Sequence, residues 1–203
     1  MPLLIDTESR TGTLVAAVNH LLAEGGPRAV SLRAVARVSR VSASSIVHHL
    51  GSVEHLMRIS AHWTGRARRE QLTDRWHDEG LPAHLPRLPD DVVDARVWLA
   101  WCELWRSEPG LEQTLREARD EERALLARQL DYALSRDELD GLVALIDGLT
   151  VAVCRPRDPM GTDHARDLLR RHYPGLGTIG DEEHSREWCG QGVVTGRARS
   201  WSG

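Results

Sequence analysis

Lysine and phenylalanine are both missing from this chain of 203 residues, so all 26 basic residues are arginine and the aromatic content falls to 4%, carried by seven Trp and two Tyr. Cysteine is scarce. Cys102, Cys154 and Cys189 are odd in number and far apart, which argues against a disulfide framework and against a paired zinc motif, and favours a reducing compartment. No window approaches the eighteen or so consecutive apolar residues of a membrane-spanning helix. The first residues, MPLLIDTESR, place acids where a signal peptide would place positive charge ahead of an apolar run, and the expected location is cytoplasmic. No strand periodicity, internal repeat or low-complexity block stands out. With 41% hydrophobic and 28% charged residues the chain has the balance of a packed, water-soluble protein, long enough to bury a core without crosslinks.

What is present is unevenly distributed. The net charge is −4, yet residues 1–60 hold six Arg against four acids. Between Gly25 and Val53 stand Arg28, Arg33, Arg37 and Arg40 with no Asp or Glu at all. The local field there is positive despite the acidic total, and a polyanion can approach this part of the chain.

Apolar spacing predicts an all-α chain of about nine helices. Leu14, Val15, Val18, Leu21 and Leu22 share one face of a first helix over Thr11–Ala23, ended by Gly25-Gly26-Pro27. Ser31 can cap a short second helix with Leu32, Val35 and Ala36 inward, and Ser42 a third with Ile46 and Leu50 inward. Ser52 opens a fourth, longer helix. The run Gly80–Asp91, with three prolines, reads as a hinge holding one short turn. Beyond it Trp98, Trp101 and Trp105 fall at i, i+3 and i+7 and share a helix face. Further helices are expected over Glu112–Leu134, Asp137–Cys154 and His164–Tyr173. Residues 174–203, Gly-rich and weakly apolar, read as a disordered or loosely packed tail.

Two short helices joined by a three-residue turn, the second opened by serines, are the arrangement that inserts a helix into the DNA major groove. Ser42, Ser44 and Ser45 stand at the amino end of the third helix, where free N–H groups and the helix dipole favour phosphate oxygen. Ser44, Ser45 and His48 lie opposite the apolar set, and Arg33 can reach guanine or phosphate. His48 reads as facing the groove and His49 as packing. The competing reading makes these polar residues the solvated side of a small bundle.

The segment LVAAVNHLLAEGGPRAVSLRAVARVSRVSASSIVHHLGSVEHL also resembles the TetR family of bacterial transcriptional regulators, matching its pattern at Ala16-Ala17, Ser31, Val35-Ala36, Val41-Ser42, His49 and Leu56. It departs where Arg40 replaces the usual turn glycine, Val47 a tyrosine, Leu50 a phenylalanine and Val53 a lysine. The tyrosine and lysine are the family's usual phosphate contacts. The resemblance implies a DNA-facing set of Ser31, Arg33, Arg40, Ser42, Ala43, Ser44, Ser45, Val47, His48 and His49. Downstream, VWLAWCELWRSEPGLEQ, LVALIDGLTVAV and ARDLLRRHY are similar to the branch that includes the choline-responsive repressor of betaine synthesis.

That resemblance implies a DNA-binding domain over 8–58, a ligand-binding and dimerisation domain over 59–173, and a homodimer formed through the helices at 137–154 and 164–173. It also implies a double-stranded DNA operator, a small-molecule effector that releases it, and a repressor as the usual mode. The expected effector pocket lies beside the helix after the proline-rich run, lined by Trp63, Trp98, Trp101, Leu104 and Trp105, an indole wall suited to an aromatic, polycyclic or cationic ligand. Alternatively the Trp stripe stands in for absent phenylalanine in an ordinary core.

No cofactor, metal site or catalytic group is expected. His164, His172, His184 and Cys189 match no zinc spacing, and His48-His49 has no triad partner. The rival from another class is a regulator-fold module that binds a small molecule or protein and has lost tight DNA binding.

Overall fold

The computed structural model describes residues 3–176, with side chains from Ser9 onward except at 105–107. From residue 177 onward the expected tail, with His184 and Cys189, lies outside the described residues, and so does the side chain of Trp105. Among the described residues there are eight α-helices and no strand: α1 (Leu3–Gly25), α2 (Leu32–Ser39), α3 (Ala43–Leu50), α4 (Val53–Glu79), α5 (Pro89–Ser107), α6 (Glu112–Gln129), α7 (Arg136–Cys154) and α8 (Thr162–His172). Short 3₁₀ turns occupy Pro27–Ala29, Leu81–His84 and Pro109–Leu111, the second of them being the turn expected in the proline-rich run.

Local chemistry accounts for most helix starts. Ser31, Ser42 and Ser52 each sit in extended backbone and accept a hydrogen bond at Oγ from the N–H three residues on, Ala34, Ser45 and His55. Ser135 does the same for α7, and Glu138 reaches back to the Ser135 N–H at 2.9 Å, closing a reciprocal cap. At the end of α6 the chain stops short of the expected Leu134, because Asp131 and Tyr132 take left-handed backbone (φ +50° and +55°) while the Tyr132 N–H bonds to the Ala127 carbonyl.

Two apolar clusters form the interior. The first joins Leu14, Val18, Leu22, Val35, Ile46 and Leu56 of the first four helices to Trp98, Trp101 and Leu104 of α5 and Leu111, Leu115 and Ala118 around the start of α6. The second gathers Leu81, Leu85, Leu126, Leu142, Ile146, Leu149 and Leu169 from the proline-rich segment, α6, α7 and α8. A boundary at 58/59 therefore does not coincide with a break in packing, since the first core runs on into α5 and α6. α4, 27 residues and so about 40 Å long, spans both clusters.

The proline-rich run is not a hinge. Gly80 through Pro86 are all buried. Prolines interrupt the local backbone bonding, and two guanidiniums cover carbonyls of the segment: Arg166 of α8 donates to that of Pro82 (2.8 Å), which also accepts the Leu85 N–H (3.1 Å), and Arg75 of α4 to that of Leu85 (2.8 Å). Both arginines also pair with Glu79, at 2.7 and 3.0 Å, and Asp91 accepts from the Arg87 and Leu88 N–H groups at 2.8 and 2.9 Å. Burial alone would raise the Glu79 pKa, but hydrogen bonds and charge from Arg75 and Arg166 outweigh it and hold the carboxyl below its ordinary range. The segment is a clamp that ties α4, α5 and α8 together.

Candidate DNA-facing surface and effector cavity

α3 presents one face outward. Ile46 is buried against the first core, with Val41 and Leu50 half-buried beside it. Ser42, Ser44, Ser45, Val47 and His48 are exposed, as are Ser31, Arg33, Arg37 and Arg40 on and after α2. Ala43 is half-buried. Ser42 is largely committed to its own helix: besides the cap, its Oγ donates to Ser45 Oγ at 2.7 Å and stands 3.1 Å from Ser44 Oγ. Ser44 and Ser45 thus carry the hydroxyls that face outward. His49 is half-buried, its Nε2 3.4 Å from Thr11 Oγ1 on α1, so the adjacent histidines divide as expected into one facing solvent and one facing the core.

Arg40, at the turn between α2 and α3, has φ +57° and ψ +24°. This left-handed conformation is the one glycine adopts without penalty; a side chain there costs about 1–2 kcal/mol. The strain keeps a guanidinium on the acid-free surface.

Trp98 and Trp101, expected to line a pocket, lie in the interior as part of the first core. Trp101 is fully buried, its Nε1 donating to Asn19 Oδ1 of α1 at 3.2 Å, while Thr64 of α4 donates to the same oxygen at 3.0 Å. Trp98 and Leu104 are buried in the same core, and Trp63 is half-buried against Gly12. Helical spacing put the indoles on one face, but that face meets α1 and α4. The stripe serves as core between the amino-terminal helices and α5.

The cavity lies elsewhere, between α6, α7 and the turn at His84. It encloses about 130 Å³ and is lined by His84, Arg119, Asp120, Glu122, Arg123, Leu126, Val143, Ile146 and Asp147, with no indole among them. Arg119 forks onto Asp147, and Arg68 of α4 holds Glu122 through two bonds of 3.2 and 3.0 Å. Burial would raise the Glu122 pKa, but the Arg68 charge and hydrogen bonds, with Arg119 behind them, keep the carboxyl ionised below its ordinary range. His84, buried and bonded at Nε2 to Gln129 Oε1 (2.8 Å), has its pKa lowered by burial and is neutral at pH 7. Sequence reading missed these residues because Glu122 and Arg119 sit in the charge-rich run EARDEER, which reads as a solvated face. A shallower groove between α4 and α6 is lined by Arg66, Arg69, Glu70, Thr73, Asp74, Leu125 and Arg128.

Among the described residues no group of three or more His, Cys, Asp or Glu is placed to hold a metal ion, and no helix is long and apolar enough to cross a membrane. Residues 74–177 match the family model of the BetI-type transcriptional repressor C-terminal domain. The HTH-type transcriptional regulator BetI of Burkholderia mallei is 28% identical over 191 residues, covering 87% of this chain and 97% of that protein. Among solved structures, one from Rhodococcus sp. described as a TetR-family transcriptional regulator has a TM-score of 0.70 at 17% identity, covering 84% of this chain and 100% of the other. A transcriptional regulator from Saccharomonospora viridis in complex with choline has a TM-score of 0.69 at 17% identity, covering 84% and 99%. A helix-turn-helix surface carried on a BetI-type carboxy-terminal domain makes this chain a member of the TetR family of transcriptional regulators, which are not enzymes.

Proposed function

We propose that the protein is a homodimeric repressor that binds a palindromic operator through two copies of α3 and is released by a small effector bound in the cavity between α6 and α7. One observation carries the DNA reading: Arg33, Arg37, Arg40, Ser44, Ser45 and His48 are all exposed, on a stretch with no acid between Gly25 and Val53. Such a surface suits phosphate contacts from arginine and serine and base contacts from the start of α3.

Pairing through α7 and α8 is supported by the outward row Gly141, Ala144, Gly148 and Val151, small or apolar residues left exposed on α7, with Val151 45% exposed. A Cβ built on Gly148 would meet nothing within 4 Å, so the row leaves room for a second helix. The dimer must hold its α3 helices roughly 34 Å apart to enter successive major grooves. A ligand that prefers another spacing releases DNA by that difference in affinity alone.

An organic cation is the effector class best matched by the cavity. With His84 neutral, its lining carries Asp120, Glu122 and Asp147 against Arg119 and Arg123. The choline bound by the Saccharomonospora viridis structure agrees in charge. Cytoplasmic location follows from acting on DNA.

Titration of the purified protein against DNA fragments from upstream of its own gene, at several salt concentrations, tests the reading. A specific complex whose affinity falls steeply with salt is expected. Equal, weak binding to every fragment favours the rival module that has lost its operator, an outcome that Val47, apolar and 41% exposed on the DNA-facing helix, keeps in view.

A further inference from the structure

Glu122 has one carboxylate oxygen in use and one left over. Oε1 accepts both Arg68 bonds, whereas Oε2 is shut off from solvent and receives no hydrogen bond. Arg119 stands 3.9 Å from Oε2, within ion-pair range and beyond a hydrogen bond, its guanidinium turned onto Asp147 of α7. A buried ionised oxygen with no donor is a costly vacancy, and its side chain lines the cavity. Opposite lie Leu126, Val143 and Ile146.

We infer that Glu122 is the group that reads the effector, and that the cavity takes a small organic cation bearing an N–H donor, a primary or secondary ammonium, whose proton bonds Glu122 Oε2 once the side chains that close this oxygen off move aside, while its carbon body rests on Leu126, Val143 and Ile146. The inference rests on the cavity being the effector site. A quaternary ammonium has no N–H and leaves Oε2 unsatisfied, so it binds less tightly; a neutral alcohol lacks the charge.

The same carboxylate connects the cavity to the DNA-facing helices. Arg68, held by Glu122, lies 5.5 Å from the ring centre of Trp98, which is part of the first core with Ile46 of α3. One turn earlier, Gly65 brings α4 so close to α6 that an added Cβ would stand 3.0 Å from Ala118 Cβ. An ammonium on Glu122 competes with Arg68 for the carboxylate's charge one turn from this close contact between α4 and α6, and α4 follows directly from α3.

The test uses the full chain, free and bound to its upstream DNA, with n-butylammonium, choline and 1-butanol as probes. Butylammonium is expected to bind and release DNA at about tenfold lower concentration than choline, with 1-butanol inactive. Glu122→Gln should erase the preference for butylammonium over choline. Arg119→Gln, which removes the competing cation and leaves Glu122 in place, should tighten butylammonium binding about tenfold and covers the case in which Glu122→Gln fails to fold. Choline binding as well as butylammonium to the wild type, or Arg119→Gln leaving butylammonium affinity unchanged, overturns the assignment. If no fragment binds with a steep salt dependence, the repressor reading fails by itself, and calorimetry of butylammonium with DNA-free protein still decides the role of Glu122.

Discussion

Near the start of α4, Arg28, Arg33, Arg37 and Arg40 are exposed, and none forms an ion pair among the described residues. Farther along it and in the helices it meets, Arg68, Arg69, Arg75, Arg119, Arg123 and Arg166 each hold a carboxylate, Glu122, Glu121, Glu79, Asp147, Asp140 and Glu79 in turn. The same residue type does two jobs. Where acids are absent, positive charge stays available to an external polyanion, and where acids are interleaved, it is spent within the fold to satisfy buried carbonyls and carboxylates. Net charge hides this division because the acid-rich region outweighs the other.

The sharpest way to break the comparison is at the clamp. Arg166→Ala removes a buried guanidinium, leaving part of the Glu79 charge unpaired and the Pro82 carbonyl with the Leu85 N–H alone, and should cost about 3 kcal/mol of stability, measured by denaturant unfolding at fixed protein concentration. A loss near zero would mean that water replaces the arginine and that the segment is looser than its burial indicates. On the exposed side, Arg33→Ala should weaken operator binding by about tenfold or more and Ser44→Ala by about threefold, with dimerisation unchanged by sedimentation. Unaltered affinity in both variants would move the contact surface off α2 and α3.

Acid separates the regions further. His84 has its pKa lowered below 6.5 by burial, so the unfolded chain takes up that proton first as pH falls. Its contribution is complete above 6.5 and declines as pH drops toward the folded value. Glu79 and Glu122, held below 4.5 in the fold, add a second decline at lower pH by the same sign. Unfolding free energy against pH should fall in both windows, and His84→Gln should remove the first alone. The smallest effect belongs to Arg40→Gly, which relieves left-handed backbone and should stabilise the fold by about 0.5 kcal/mol while weakening DNA binding at low salt. A variant that gains stability with no loss of affinity would show that this guanidinium does not meet DNA.

Much of the helix-turn-helix half was legible because its determinants are local. The serine caps at Ser31, Ser42 and Ser52 act over three residues, and the inward set Val35, Ile46 and Leu56 follows from helical period. His48 and His49 could be told apart by the same period. The rest depended on distant partners. Trp98 and Trp101 shared a face as spacing required, but whether that face met a ligand or Asn19 was decided by α1, 82 residues away in the case of Trp101. The proline-rich run looked like a hinge because prolines break helices; that its carbonyls would be covered by Arg75 and Arg166 could not be read from the run itself.

By itself the sequence determined where helices begin, which side of α3 is apolar, and that 25–53 carries positive charge without acids, since each of these depends on neighbours within a turn or two. Only the tertiary structure decided that Trp98 and Trp101 are core, that Gly80–Pro86 are buried, and that Glu122 of a charge-rich helix lines a cavity with an oxygen to spare. The physical reason is that burial and pairing are properties of what packs opposite a residue, and helical periodicity specifies a face without naming its neighbour.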